Sequence, residues 1–191
     1  GEGPLHPKDL FKENPDQNWL EIGFGGGEHL AAQAAKHPEV GFIGCEPFIN
    51  GVACLLNEVE AKNLRNVRIY PDDARDIIDR IPSATLERVF LLFPDPWPKR
   101  RHSHRRLIKR DFLDVLVTKL IPEGTLEVAT DHPAYANWIN ARLQGTQGLQ
   151  NLFTPYPYLS NVPGRHLTAY EEIWRLKGRT PYFWRYKKVA L

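Results

Sequence analysis

Asn18-Trp19-Leu20-Glu21-Ile22-Gly23-Phe24-Gly25-Gly26-Gly27-Glu28 is the stretch on which the fold depends. Residues 18–22 form a short apolar run that reads as a strand. The glycines at 23–27 permit a tight turn from strand to helix and let another group approach the backbone closely. Residues 28–37 read as a helix, stopped by Pro38. The same alternation continues outward. Val40–Cys45 is a second strand ending at Glu46-Pro47, and residues 48–62 are a helix with Val52, Leu55, Leu56 and Val59 at helical spacing. Val67–Tyr70 is a third strand ending at Asp72-Asp73, followed by a short helix over 74–81. Residues 88–93 form a fourth strand, 112–120 a helix turned by Pro122-Glu123-Gly124, 125–129 a fifth strand ending at Asp131, and 132–143 another helix. Strand and helix alternating in this way mean an α/β domain, a parallel sheet with helices on both faces. After Gly148 the alternation weakens, and residues 153–158 and 182–187 are expected to close the sheet as an antiparallel pair, with a helix at 170–176 between them.

The 191 residues suit one domain, placed here at 18–191, with the polar, proline-bearing residues 1–17 as an arm outside its core. The chain opens at Gly1 and contains no methionine, so it is expected to be part of a longer product whose leading arm is cut short. No apolar run approaches membrane-spanning length and no secretory signal opens the sequence. Cys45 and Cys54 are expected to be buried free thiols of a reducing, cytoplasmic compartment. The net charge of +2 conceals an asymmetry: residues 99–110 hold seven bases and no acid, so the remainder is acidic overall. A second basic cluster comprises Arg175, Lys177, Arg179, Arg185, Lys187 and Lys188. Two such clusters suggest a polyanionic partner, whereas either alone would serve as solvated surface charge.

Carboxylates recur at the strand ends: Glu21 within the first strand, then Glu46, Asp73, Asp95 and Asp131. They line the carboxyl edge of the sheet, where open α/β sheets bind their ligands. Glu28 stands where a nicotinamide fingerprint needs its third glycine, and no Gly-Lys-Ser/Thr phosphate loop occurs. The remaining pattern, acid-x-Gly-x-Gly-x-Gly over 21–27, resembles the S-adenosylmethionine sites of Rossmann-like methyltransferases; the alternative is a mere tight turn. That ligand has no phosphate to cradle. Its carboxylate can face the helix N-terminus, and its cationic groups favour an acid such as Glu21. Glu46 is placed to hold both ribose hydroxyls, or to sit as a charge at the start of the next helix. Asp73 is placed near the adenine amino group, or caps the helix at Ala74, and Asp72 could fill either role. Between Pro94, Pro96 and Pro98 the backbone is stiff, so Asp95 and Trp97 are held in one geometry. Trp97 either stacks on a base or packs beneath the loop.

Glu21-Ile22-Gly23-Phe24-Gly25, Phe93-Pro94-Asp95-Pro96-Trp97, Arg105-Arg106, Ala129-Thr130-Asp131 and Thr168-Ala169-Tyr170-Glu171 occur in that order. Together they resemble the tRNA (guanine-N7)-methyltransferase family over residues 19–187. The resemblance implies a class I methyltransferase fold with a mostly parallel seven-stranded sheet. It implies methyl transfer from S-adenosylmethionine to N7 of guanine 46 in the tRNA variable loop. It implies a donor site formed by Glu21, Gly23, Gly25, Gly27, Glu46, Asp73, Ala74 and Asp95, with Asp95 also at the reacting centre. It further implies substrate contacts from Lys99, Asp131, Thr168, Tyr170 and Glu171, and RNA contacts from Arg100, Arg101, Arg105 and Arg106. S-adenosylhomocysteine would be the product, tRNA the partner, and the assembly a monomer or homodimer without metal or membrane. Family members usually carry a basic segment before the first strand, where this chain has only Lys8 and Lys12. Thr168-x-x-Glu171 also has the form of a capping box. His102 and His104 are too close for usual structural metal spacing. Two other readings stay open: an RNA methyltransferase acting on an exocyclic amine, since Asp95-Pro96-Trp97 resembles the loop of such enzymes, and a catalytically silent RNA-binding module on the same fold.

Overall fold

The computed structural model describes residues 3–165, 167 and 169–190, the side chains of residues 169 and 170 excepted. Seven strands form one sheet: β1 (Gln17–Ile22), β2 (Val40–Cys45), β3 (Val67–Tyr70), β4 (Leu86–Leu92), β5 (Leu120–Thr130), β6 (Leu149–Asn151) and β7 (Tyr182–Lys188). Their order across the sheet is β3-β2-β1-β4-β5-β7-β6. The pairs from β3 to β5 are parallel, and β7 is antiparallel to both β5 and β6. The helices are α1 (Glu28–Lys36), α2 (Ile49–Ala61), α3 (Arg75–Ile78), α4 (Arg110–Lys119), α5 (Pro133–Gln144) and α6 (Ala169–Leu176). No described helix is long and apolar enough to cross a membrane.

The continuous apolar strands are explained by two cores, one on each face. In β4, Val89 and Leu91 join the cluster under α3, α4 and α5, while Phe90 between them joins the cluster under α1 and α2. Successive side chains point to opposite faces, so a strand covered on both sides must be apolar throughout. The chain winds outward from β1 through β2 to β3, then returns to lay β4 against the other side of β1. The crevice between the carboxyl ends of β1 and β4 is therefore the topological switch point, where such sheets bind ligands.

Three expectations change. The turn at Pro122-Glu123-Gly124 lies inside β5 as an irregularity: Leu86 faces Leu120, yet Arg88 faces Thr125. Gly124 is required there, because a Cβ would come within 2.9 Å of the Ile121 carbonyl oxygen. The partner of β7 is Leu149–Asn151, not residues 153–158, which pair with no part of it as a ladder: Tyr158 packs its ring on Tyr182 and Trp184, and Leu159 beyond makes an isolated bridge to Phe183. Pro155 and Pro157 lack the N–H groups a ladder needs. The leading segment is not wholly outside the core. Phe11 is 9% exposed and belongs to the larger cluster, with the Arg68 guanidinium 4.7 Å over its ring. Burying such a side chain stabilises by about 1.5–3 kcal/mol, and a polar composition around one aromatic concealed it.

Candidate active site

The glycine turn closes because Gly23, Gly25 and Gly27 take φ of 70°, 58° and 80°, a region that disfavours side chains. Gly23 N–H donates to the Cys45 carbonyl at 2.7 Å, tying the turn to β2. Glu46, 5% exposed, accepts from Gly25 N–H at 2.8 Å through one carboxylate oxygen and from Phe48 N–H at 3.0 Å through the other. Helix α2 packs so closely that a Cβ on Gly51 would lie 2.1 Å from the Gly25 carbonyl oxygen. A Cβ on Gly23, Gly25 or Gly26 would instead meet open space, the cleft in front of the turn.

That cleft has a volume of about 950 Å³ and runs from the glycine turn past Glu46, Phe48 and Asp73 to Trp97 and Arg105. Asp73 accepts from the Arg75 backbone N–H at 2.9 Å and takes the Arg75 guanidinium in a bidentate pair, Nε on Oδ1 and Nη2 on Oδ2. The guanidinium holds its carboxyl below the usual range. Asp73 thus lies just before α3, whose N-cap position is Ala74 rather than Asp73, and Ala74 is buried at the cleft wall. Cys45 is buried and its thiol is pushed up to about 12 by desolvation, then by the Asp73 charge. Cys54 lines the same cleft but is exposed, against the expectation of burial, because its position on α2 faces the opening rather than the sheet.

A second cavity of about 360 Å³ lies on the other side of the turn. Glu21 and His29 Nδ1 meet as a buried hydrogen-bonded pair on its wall, and the second carboxylate oxygen of Glu21 has no hydrogen-bond partner. Gly23, Gly25, Gly26, Phe93 and Asp95 line both cavities. Asp95 is exposed where the two meet.

The loop carrying Asp95 is held under strain. Phe93 and Trp97 have φ of 53° and 42°, in the left-handed region that costs an aromatic residue about 1–3 kcal/mol. Phe93 N–H donates to the Ala129 carbonyl at 2.8 Å. Arg106 supplies the other anchor: its Nε donates to the Pro96 carbonyl at 2.8 Å and its Nη2 to the Trp97 carbonyl at 3.2 Å. The expectation that Arg106 meets RNA is corrected by its position. It is 7% exposed, with its guanidinium over the rings of Tyr135 and Trp138. A sequence run of bases does not distinguish the one that turns inward. Lys99, Arg100, Arg101 and Arg105 are exposed, the last three on a 3-10 turn over Arg100–Arg105. Trp97 is half-buried, lines the cleft and carries the Arg105 guanidinium 5.0 Å from its ring.

Beyond Phe93, Asp131 and Glu171 border one small gap. Asp131 accepts from Arg179 at 3.1 Å, and Glu171, 3% exposed, is paired with Arg165. Thr168 and the side chain of Tyr170 lie outside the described residues. His132 caps α5, its Nδ1 accepting from Tyr135 N–H at 3.3 Å. Sequence reading missed Arg165, Arg75 and the partnership of His29, and it placed Arg179 only in the second basic cluster, without its pairing to Asp131. None sits in a periodic or spaced pattern; each is brought to an acid by the fold.

The strand order, the glycine turn at the end of β1 and the acids at the strand ends define a Rossmann-like class I methyltransferase. Solved structures of that fold align over most of the chain. The 16S rRNA methyltransferase KamB matches 100% of this chain and 96% of its own, with TM-score 0.65 and 14% identity. TrmN from Thermus thermophilus covers 92% of this chain and 45% of its own, with TM-score 0.63 and 18% identity. Likeness at such identity is one of fold. More particularly, the chain belongs to the tRNA (guanine-N7)-methyltransferase family. The methyltransferase family model Methyltransf_4 matches residues 15–184. The tRNA (guanine-N(7)-)-methyltransferase of Caulobacter vibrioides is 44% identical over 95% of this chain and 79% of its own length. That of Paramagnetospirillum magneticum is 42% identical over 97% and 78%. That of Hyphomonas neptunium is 53% identical over 72% of this chain, which spans 62% of the relative's length.

Proposed function

We propose that this chain transfers the methyl group of S-adenosylmethionine to N7 of guanine 46 in the variable loop of tRNA. The observation that carries the proposal is the place of Asp95, at the junction of the two cavities and one strained residue, Phe93, away from the gap bordered by Asp131 and Glu171. The residues fit a cationic donor without phosphates. Glu21, Glu28 and Asp95 surround the smaller cavity, and one Glu21 oxygen is buried there without a partner. Both oxygens of Glu46 keep a further lone pair for ribose hydroxyls after holding the turn. When bound, the donor supplies an electrophilic methyl on a positively charged sulfur.

Guanine N7 presents a lone pair and has no proton to lose, so no general base is needed and the protein's part is positioning. Asp95, set by the anchored loop, faces the place where positive charge leaves the sulfur and appears on the purine. A fixed carboxylate there steadies both ends of that shift. Asp131 and Glu171 are the acceptors for the N1 and N2 hydrogens of the base. Trp97, in the cleft wall, offers a stacking face worth about 1–3 kcal/mol per base. N7 lies on the major-groove edge and is engaged in tRNA tertiary structure, so the base is displaced to reach Asp95. Lys99, Arg100, Arg101 and Arg105 take the phosphates beside the cleft. A tRNA substrate sets the reaction in the cytoplasm, where free thiols persist.

The test is methyl transfer from labelled S-adenosylmethionine to unmodified tRNA transcripts, followed by reduction and aniline treatment. Strand cleavage within the variable loop is expected. Label that resists cleavage would assign the chain to exocyclic-amine chemistry. No label transfer together with no donor binding by calorimetry would make it a silent RNA-binding module.

A further inference from the structure

We propose that Arg165 receives the carboxylate at the amino-acid end of the methyl donor, with Glu21 taking the ammonium. The inference rests on the donor reading above and adds to it a residue that no sequence pattern marks. Arg165 is 9% exposed at its side chain, and its Nη1 is paired with Glu171. Its guanidinium lies 4.5 Å from the centroid of the Phe183 ring, which fixes its plane. Its Nη2 is buried and has no hydrogen-bond partner. Arg165 lines the same 360 Å³ cavity as Glu21, whose second oxygen is also buried without a partner, and the two do not pair with each other. One wall thus offers an unsatisfied donor on a cation and another an unsatisfied acceptor on an anion. An α-amino acid carries the complementary groups.

The charge around the cavity supports the assignment. Its described lining includes three carboxylates, Glu21, Glu28 and Asp95, and Arg165 is the only lysine or arginine in it. His29 is already committed to Glu21. The start of α1 is a poor place for a carboxylate because Glu28 brings a like charge into its first turn. A guanidinium presents five N–H donors in a planar fork, so Arg165 can keep Glu171 through one edge and serve a second carboxylate through another. Arg165 would then join donor and base: the residue that holds the methionine end also holds Glu171 at the guanine gap.

Calorimetry with two ligands tests this: S-adenosylhomocysteine, and its decarboxylated analogue, which lacks only the carboxylate. The native chain should bind the analogue about ten- to a hundredfold more weakly, the loss expected for one charge-assisted pair. In Arg165→Gln the affinity for S-adenosylhomocysteine should fall into the analogue's range while the analogue's affinity holds, so that the ratio approaches one. Arg165→Lys, which retains the charge should the glutamine variant not fold, should give an intermediate ratio. Equal binding of both ligands by the native chain, or a native ratio kept in either variant, overturns the proposal while leaving the donor site standing. Failure of the native chain to bind S-adenosylhomocysteine at all overturns the donor reading and this proposal with it.

Discussion

Replacing Arg106 by alanine separates two roles that a run of bases leaves indistinguishable. If Arg106 anchors the Asp95 loop, the substitution removes donors to the Pro96 and Trp97 carbonyls at 2.8 and 3.2 Å. It also removes a cation from over Tyr135 and Trp138, at 5.3 and 4.7 Å from their ring centroids. One short charge-assisted hydrogen bond contributes about 1.5–3 kcal/mol, and the longer one less. The ring contacts add about 0.5–2 kcal/mol. The cost of keeping a guanidinium 7% exposed offsets part of this. A net loss of about 3 kcal/mol remains, which for a domain of this size lowers Tm by about 6–12 °C. The loop has two left-handed aromatic residues and keeps only its anchor at Phe93, so turnover should fall beyond what the lost stability explains. The decisive assay is tRNA affinity against salt, measured below the melting range of the variant. Each phosphate contact contributes about 0.7–0.9 to the slope of log affinity against log salt. Arg106→Ala should leave the slope unchanged, whereas Arg105→Ala, from the exposed 3-10 turn, should lower it by one contact without altering Tm. An Arg106→Ala variant with native Tm and a lowered slope would refute the anchoring argument.

Asp95→Asn keeps the shape of the loop and removes its charge; donor and tRNA should still bind while turnover falls at least a hundredfold, and a near-normal rate would remove Asp95 from the reacting centre. Gly51→Ala places a Cβ 2.1 Å from the Gly25 carbonyl oxygen, so α2 or the glycine turn must shift; the expected cost is about 1–3 kcal/mol, with weaker donor binding by calorimetry. Cys54 lines the cleft and is exposed, whereas the Cys45 thiol is buried with its pKa pushed up to about 12; an alkylating reagent at pH 8 should modify Cys54 alone, and S-adenosylhomocysteine should slow it.

The site divides into residues that announce themselves and residues that do not. Glu21, Glu46, Asp73 and Asp95 were visible because each lies near the carboxyl end of an apolar run or just past it, and a parallel sheet aligns strand ends along one edge. Their immediate partners were hidden. Asp73 is two residues from Arg75, and nothing in that spacing tells a bidentate pair from two solvated charges. Arg165 lies between Gly164 and His166 with no periodicity around it, and only the packing of its guanidinium on Phe183 of β7 brings it to Glu171. Arg105 and Arg106 are adjacent, yet one faces solvent and the other is buried, because the chain leaves the 3-10 turn in extended conformation at Arg106. The β7 partner was misplaced because the aromatic content of residues 153–158 suggests a strand, while their prolines cannot complete a ladder.

By itself, then, the sequence determined the alternation of strands and helices, the glycine turn and the row of carboxylates. These are properties of neighbouring residues: apolar period, φ freedom and the local stiffness of proline. Only the tertiary structure decided that β4 returns beside β1, that Asp95 stands between two cavities, that Arg106 is an anchor, and that buried Glu21 and Arg165 face one cavity with an oxygen and a nitrogen left unpaired. The physical reason is distance along the chain. Burial and pairing are set by groups that meet only after the strands have ordered themselves, and no local pattern records which charge will then face water and which the core.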